Sequence, residues 1–277
     1  MRQCANRRDG DHRFMGFDSR NRQGERIETS IRAFYDHYWP SHFPSSEDLK
    51  ETERHLHKII PKQRYTWTLD AGCGLGVCSV ALSEMSENVI ALDISPNSLS
   101  AARHLAKRLE RHNVEFVEAS LADIPCGNGA FDLILCWGVL MYVPSVERVF
   151  CELARTLRRD GALVVAVHKK SMLTPLHEMV RRFFLRVPKA GMRPMIRLAA
   201  FLIRWAATAF GRHPARNDLS FEAKVEDFYV VPFKRFFSMK EIGILFQRHN
   251  FSHEVVTEYT GRFRSSSSFI VRGTKQV

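Results

Sequence analysis

The 277-residue sequence predicts an α/β fold: a seven-stranded, mostly parallel sheet with helices on both faces, a closing antiparallel hairpin and a helical cap insertion. Three observations predict it. Over the span 65–168 short apolar runs alternate with helix-length segments, the rhythm of right-handed βαβ units around a sheet covered on both faces. The first run leads into a glycine-rich turn, where backbone can approach a ligand closely. Two last β-like runs, His253–Tyr259 and Ser268–Arg272, are split by Gly261 and a serine cluster and form a hairpin pattern.

Residues 1–26 are polar, Arg-rich and without period, and are expected to form a flexible tail. From Ile27 to Trp39 apolar and aromatic residues recur at three and four, predicting a short amphipathic helix. Ser46 opens a second helix, acidic in its first turn and stopped by Pro61. Strands follow at Trp67–Ala71, Asn88–Asp93, Val114–Val117, Phe131–Trp137 and Ala162–Val167. Between them lie helices at Val77–Met85, from Ser95-Pro96 to Arg111, and at Val146–Arg158. Ser95 is an N-cap with Pro96 at the first helical position. Residues 169–216 break the rhythm with Arg-bearing helical stretches punctuated by Pro175, Pro188, Pro194 and Pro214. Ser238 with Glu241 forms a capping box for a helix ending near Asn250. The expected division is a tail (1–26), a core (27–168) with lid helices at 27–61, a basic cap (169–216) and a completion of the core (217–277).

An apolar fraction of 45%, with 20 Phe and 4 Trp, supports a full core and excludes global disorder. No apolar run reaches the roughly 20 residues that span a bilayer, and MRQCANRRDG offers no apolar signal segment. A cytoplasmic protein is expected, with peripheral membrane contact through 169–216 as one alternative. The six cysteines lack paired zinc-ligand spacing, so no metal is expected and the thiols read as reduced and mostly buried.

The chemistry sits in Leu69-Asp70-Ala71-Gly72-Cys73-Gly74-Leu75-Gly76. The dinucleotide fingerprint needs a third glycine where this chain has Val77, which argues against a pyrophosphate cradle and a nicotinamide reductase. Asp93, ending the second strand, is placed to accept from ribose hydroxyls, and Asp70 to accept from an ammonium or to hold the loop.

LDAGCGLG, ALDIS, LADIP, FDLILCWGVLMYV and ELARTLRRDGALVVAV, in this order, resemble the motifs of class I S-adenosylmethionine (SAM) dependent methyltransferases, of Rossmann-like fold, in the branch that methylates small molecules and quinones. The resemblance covers about residues 65–168. It implies SAM as cofactor. Asp70, Gly72, Cys73, Gly74 and Gly76 would surround its methionine end. Asp93 would bind the ribose, with Ile94 on the adenine. Asp123 would accept from the adenine amino group beside Ile124, and Cys136 and Trp137 would line the pocket near the sulfonium. Where the family often has His after the following hydrophobic turn, this chain has Tyr142. His168, just past the fifth strand, is the first general-base candidate, followed by Tyr142, Asp227 and Tyr229. One of Tyr35, Tyr38 or Trp39 is a further candidate for contact with cofactor or acceptor.

The net charge of +11 divides unevenly. Residues 1–26 carry +3, 27–168 carry −4 and 169–277 carry +12, of which 169–216 alone contribute +10. In Met195–Phe210, Arg197, Arg204 and Thr208 form a narrow polar stripe on an apolar helix, with Arg193 one turn earlier. The insertion reads as a lid packed on the sheet edge, as a roof over an acidic or amphipathic acceptor, as an interfacial helix facing anionic headgroups, or, ranked last, as an RNA contact. The expected function is methyl transfer to an O or N atom of a small organic acceptor. The alternatives are a lipophilic or quinone-like acceptor at a membrane surface, RNA, and a non-catalytic SAM-fold scaffold. No DNA partner is expected.

Overall fold

The computed structural model describes residues 19–38, 46–209, 221–258 and 268–276. Two helices come first, α1 (Ser19–Tyr38) and α2 (Ser46–Ile59). The alternating core follows as β1 (Tyr65–Ala71), α3 (Val77–Met85), β2 (Ser86–Asp93), α4 (Pro96–Arg108), β3 (Val114–Glu118), β4 (Phe131–Trp137), α5 (Val146–Thr156) and β5 (Leu157–His168). The insertion supplies α6 (Thr174–Phe184) and α7 (Lys189–Ala209), and beyond it α8 (Phe221–Val225) continues into a π-helical turn, Glu226–Val230. The chain ends in α9 (Met239–Arg248) and the antiparallel strands β6 (Phe251–Glu258) and β7 (Ser268–Lys275).

The seven strands form one sheet in the order β3-β2-β1-β4-β5-β7-β6. The pairs among β1 to β5 are parallel, with Leu69 opposite both Ile90 and Ile134, and β7 runs antiparallel to β5 and β6. Leu69, Leu133, Ile134, Leu135, Val164 and Val165 are fully enclosed, as continuous apolar runs in central parallel strands require. The chain leaves β1 toward β2 and β4 toward β5. Their carboxyl ends therefore part at a topological switch point, where such sheets open a crevice.

Several local predictions hold at residue level. The Ser95 hydroxyl accepts from the Ser98 N–H at the start of α4. Ser238 and Glu241 exchange hydrogen bonds as a capping box on α9. Two boundaries differ. The segment 19–26 is helical, not tail, because Arg, Gln and Glu are good helix formers and lengthening an anchored helix needs no new nucleus. The α5 helix stops at Thr156 instead of Arg158, because Leu157 already pairs with Phe131 in the sheet. Residues 1–18, Trp39 and the 210–220 and 259–267 segments lie outside the described residues.

The insertion has its own small core of Phe184, Ile196, Ala200 and Val225. The exposed Arg182, Arg186, Arg193, Arg197 and Arg204 behave as expected of solvent-facing bases. Arg181 does not: it is buried, and its guanidinium donates to the Val231 carbonyl at 2.9 Å. A strap follows the π turn and is pinned to the end of β5. Phe237 N–H donates to the His168 carbonyl (3.0 Å), Lys170 N–H to that of Phe237 (2.7 Å), and Arg235 N–H to that of Met141 (2.8 Å).

Asp132 clamps the start of the sheet. One of its carboxylate oxygens accepts from the Thr66 and Trp67 N–H groups, each at 2.7 Å, and the other meets Arg158 at 2.5 Å. Asp132→Ala would strand two backbone donors, at roughly 1–3 kcal/mol each. A lowered urea midpoint with an unchanged m-value is the expected outcome, and an unshifted midpoint would count against the clamp.

Candidate active site

The crevice is built first by the glycine turn. Gly72, Gly74 and Gly76 all adopt positive φ (87°, 51° and 76°). A Cβ on Gly72 would lie 2.4 Å from the Val139 side chain, and one on Gly76 would lie 2.8 Å from Ala102 Cβ on α4. Glycine is thus required by both conformation and space. The contact also locks the turn after β4 against the turn after β1.

Asp93 braces the loop. Its oxygens accept from Gly74 N–H at 2.8 Å and Ser95 N–H at 2.9 Å. Burial pushes this carboxyl above the usual range, opposed by those N–H groups and that of Ile94. Each carboxylate oxygen has a second lone pair, so Asp93 retains acceptor capacity for a ligand's hydroxyls. Asp70 lies beneath, buried, with Ser79 Oγ donating to it at 2.6 Å. Burial drives its carboxyl up to about 7, the Asp93 charge adds to this, and the Ser79 bonds oppose it. The contact with Ser79 ties the end of β1 to α3.

The remaining cofactor-side candidates divide. Cys73 is buried and its thiol is pushed well up, chiefly by burial, as suits an inert packing residue. Ile94 is half-buried beside Asp93. Asp123 is exposed, whereas Ile124 is enclosed and its N–H donates to Glu152 at 2.9 Å. Ile124 is therefore held in the core. Cys136 and Trp137 were expected to line one pocket, but strand alternation sends them to opposite faces of the sheet. Cys136 is enclosed in the main core with its thiol raised to about 12 by burial, while Trp137 packs edge-on against His55, centroids 5.3 Å apart.

Beside the carboxyl ends of β4 and β5 four segments converge. Tyr142 lies in a 3-10 turn, Leu140–Tyr142, and its hydroxyl donates to Asp227 in the π turn at 2.8 and 2.9 Å. Tyr35 of α1 donates to the same carboxylate at 3.4 Å and meets the Tyr142 ring edge-on at 5.6 Å. Lys234 of the strap reaches the Tyr142 oxygen at 3.3 Å, the Asp227 carbonyl at 3.2 Å and the Asp227 carboxylate at 3.5 Å. Its ammonium also sits 3.8 Å from the Phe228 ring centroid, over the negative face. Burial lowers the Lys234 pKa, opposed mainly by Asp227, while burial and the Asp227 charge hold the Tyr142 hydroxyl well above its ordinary value.

His168 stands beside this cluster, stacked on Phe228 with centroids 5.3 Å apart. Its buried Nδ1 has no hydrogen-bond partner among the described residues. Burial, assisted by the Lys234 charge, lowers its pKa to about 3. Burial thus favours the neutral ring, which runs against the general-base role expected of it. Tyr229 lies farther out, with its hydroxyl 2.8 Å from His177 Nδ1. Tyr38 donates to the Ala223 carbonyl at 3.2 Å and holds α1 to α8.

The two sides are joined by consecutive residues of α1. Tyr35 reaches Asp227, and the next residue, Asp36, accepts from Ser95 Oγ at 2.6 Å and through its carbonyl from Asn97 at 3.1 Å, beside Asp93. Sequence reasoning missed Asp36 and Lys234. The aromatic run around residues 34–39 signalled α1, but nothing in Val-Pro-Phe-Lys-Arg-Phe-Phe distinguishes Lys234 from a solvated lysine.

Residues 69–165 match the family model described as a methyltransferase domain. A demethylmenaquinone methyltransferase of Tropheryma whipplei is 30% identical over 119 residues, 42% of this chain and 48% of that protein. The magnesium-protoporphyrin O-methyltransferase of Rhodobacter capsulatus is 27% identical over 164 residues, 58% of this chain and 67% of that protein. The chain thus spans about half the length of the first of these relatives. A SAM-dependent methyltransferase from Aquifex aeolicus has the same fold, with a TM-score of 0.53 at 16% identity over 90% of this chain and 97% of that one.

Because burial raises Asp70 above its unfolded value, the native state holds that proton more tightly. Stability contributed at this site should fall as pH rises from 3.8 toward about 7. Asp70→Asn should flatten this part of the pH–stability curve, read from urea midpoints across that window. Parallel curves for the two proteins would refute the shift.

Proposed function

We propose that this chain, whose residues 69–165 match a methyltransferase domain, is a class I SAM-dependent methyltransferase that transfers a methyl group to an oxygen or nitrogen of a small organic acceptor bound against the insertion. One observation carries the proposal. The Gly72–Gly76 loop with Asp93, and the Tyr35–Tyr142–Asp227–Lys234 cluster, flank the same end of the sheet and are tied together by Tyr35 and Asp36.

The cofactor fits the loop side. The left-handed backbone at Gly72, Gly74 and Gly76 turns a loop past Asp93 at the carboxyl end of β1, and Asp93 keeps lone pairs for vicinal hydroxyls. When bound, SAM supplies a methyl group on a positively charged sulfonium, a reactive centre that needs no protein nucleophile. The chain's task is then alignment, worth roughly 7–11 kcal/mol when reacting atoms are held in line, together with removal of the acceptor's proton.

The proton path runs through Tyr142 and Asp227. With its hydroxyl donating to Asp227, the Tyr142 oxygen faces an acceptor O–H or N–H as a hydrogen-bond acceptor. The acceptor's proton passes to the Tyr142 oxygen as the Tyr142 proton passes to the Asp227 carboxylate. Lys234, 3.5 Å from that carboxylate, holds it in place. Phe228, Phe236 and the His168 ring pack together as an aromatic wall, His168 stacked on each phenylalanine and those two tilted by 51° to each other. Such a wall suits a ring-bearing acceptor, in keeping with a quinone and a porphyrin naming the acceptors of two relatives.

Isothermal titration with SAM tests the cofactor. Asp93→Ala should weaken binding about tenfold or more through lost charge-assisted hydrogen bonds, and unchanged affinity would remove Asp93 from the site. Asp227→Asn should lower kcat about 10²-fold or more while SAM affinity stays within a few-fold. A kcat equal to that of the parent would eliminate the proton path.

A further inference from the structure

The described residues expose twelve large apolar side chains, and eleven of them fall between Met172 and Trp205, on or beside α6 and α7. The clustering is specific to the insertion. On α7, Leu198, Phe201, Leu202 and Trp205 follow the i, i+3, i+4, i+7 spacing of one helix face, with Phe201 63% and Trp205 65% exposed. That face points away from the side on which Ile196 and Ala200 pack into the insertion core. On α6, Leu176, Met179 and Phe183 repeat the pattern, opposite the buried Arg181 and Phe184. Both helices are therefore apolar on two sides, and only one side meets protein among the described residues.

The bases lie alongside the exposed faces. Arg193, Arg197 and Arg204 fall along one flank of the α7 face, and Arg182 and Arg186 along one flank of the α6 face. Next to α6 a groove of about 740 Å³ combines both characters, with Met172, Met179 and Phe183 among Lys170, Arg182 and Arg186. Residues 169–216 carry eleven bases against the single acid Glu178.

Apolar faces flanked by arginine match the boundary layer of an anionic bilayer, where acyl chains accept the Leu, Phe and Trp side chains and headgroups pair with the guanidinium groups. A second copy of this chain fits poorly. A two-fold interface sets like patches against each other, and here it would face the exposed Arg182, Arg186, Arg193, Arg197 and Arg204 with five more arginines. No described helix is long and apolar enough to cross a membrane, so contact would be from one side. We propose that the α6–α7 surface docks this protein on an anionic lipid bilayer, lying in its interface. The docking stands apart from the catalytic assignment, since none of these residues belongs to the SAM side or to the Asp227 cluster.

Co-sedimentation of the full chain with vesicles tests it. Phosphatidylcholine vesicles enriched in phosphatidylglycerol should bind the protein at least about tenfold better than phosphatidylcholine alone, and added salt should weaken the binding. Phe201→Glu with Trp205→Glu should abolish it, and Arg182→Gln with Arg186→Gln should reduce it. Both variants should keep the parent's thermal midpoint and SAM titration, which separates this outcome from a failure of the cofactor assignment. The proposal is overturned by no binding to anionic vesicles, by equal binding to neutral ones, or by retention in the Phe201/Trp205 variant. A concentration-dependent dimer that this variant dissociates would overturn it in favour of self-association.

Discussion

The enclosed ammonium of Lys234 is the constraint on which the candidate acceptor side depends. A primary amine with no exposed side-chain surface is costly unless it is paired and hydrogen-bonded. Its partners are the Asp227 carboxylate and carbonyl, the Tyr142 hydroxyl and the Phe228 face, which come from the π turn after the insertion and from the turn after β4. The strap that carries it is stitched by backbone to Met141 and His168. Moving any one of these segments would leave a charge without its partner. The insertion is thereby registered against the sheet by polar chemistry, and its own apolar core does not have to do so.

The glycine turn sets the other half. Gly72 against Val139 fixes the spacing between the β1 and β4 turns, and Asp93 holds Gly74 from the neighbouring strand. Helix α1 spans both halves through adjacent side chains, Tyr35 toward Asp227 and Asp36 toward Ser95. A helix packed by Ile31, Tyr35 and Tyr38 into the main core thus contributes to each half of the crevice. Displacement of α1 would loosen both halves together, and a lid over two reactants has the same geometric requirement.

Much of this was legible in the sequence, and unevenly so. Strand periodicity, glycine spacing, the Ser95 cap and the Ser238–Glu241 box are local signals that act within a few residues of chain, and each reappears in the structure. Cys136 and Trp137 were less legible, because adjacency on a strand means opposite faces and the sequence does not say which face meets the crevice. His168 was placed well in space at the carboxyl end of β5. Its surroundings were set by Phe228 and Lys234, some sixty residues further along the chain.

The sequence by itself determined the α/β alternation, the glycine-rich turn after the first strand, and the concentration of positive charge in residues 169–216, since these rest on local pattern and composition. Only the tertiary structure decided that Lys234 is enclosed, that Tyr142 and Asp227 meet across 85 residues of chain, and that α6 and α7 expose apolar faces alongside their arginines. The physical reason is the same in each case. Burial, pKa and partner choice depend on which distant surfaces exclude water together, and long-range packing alone settles that.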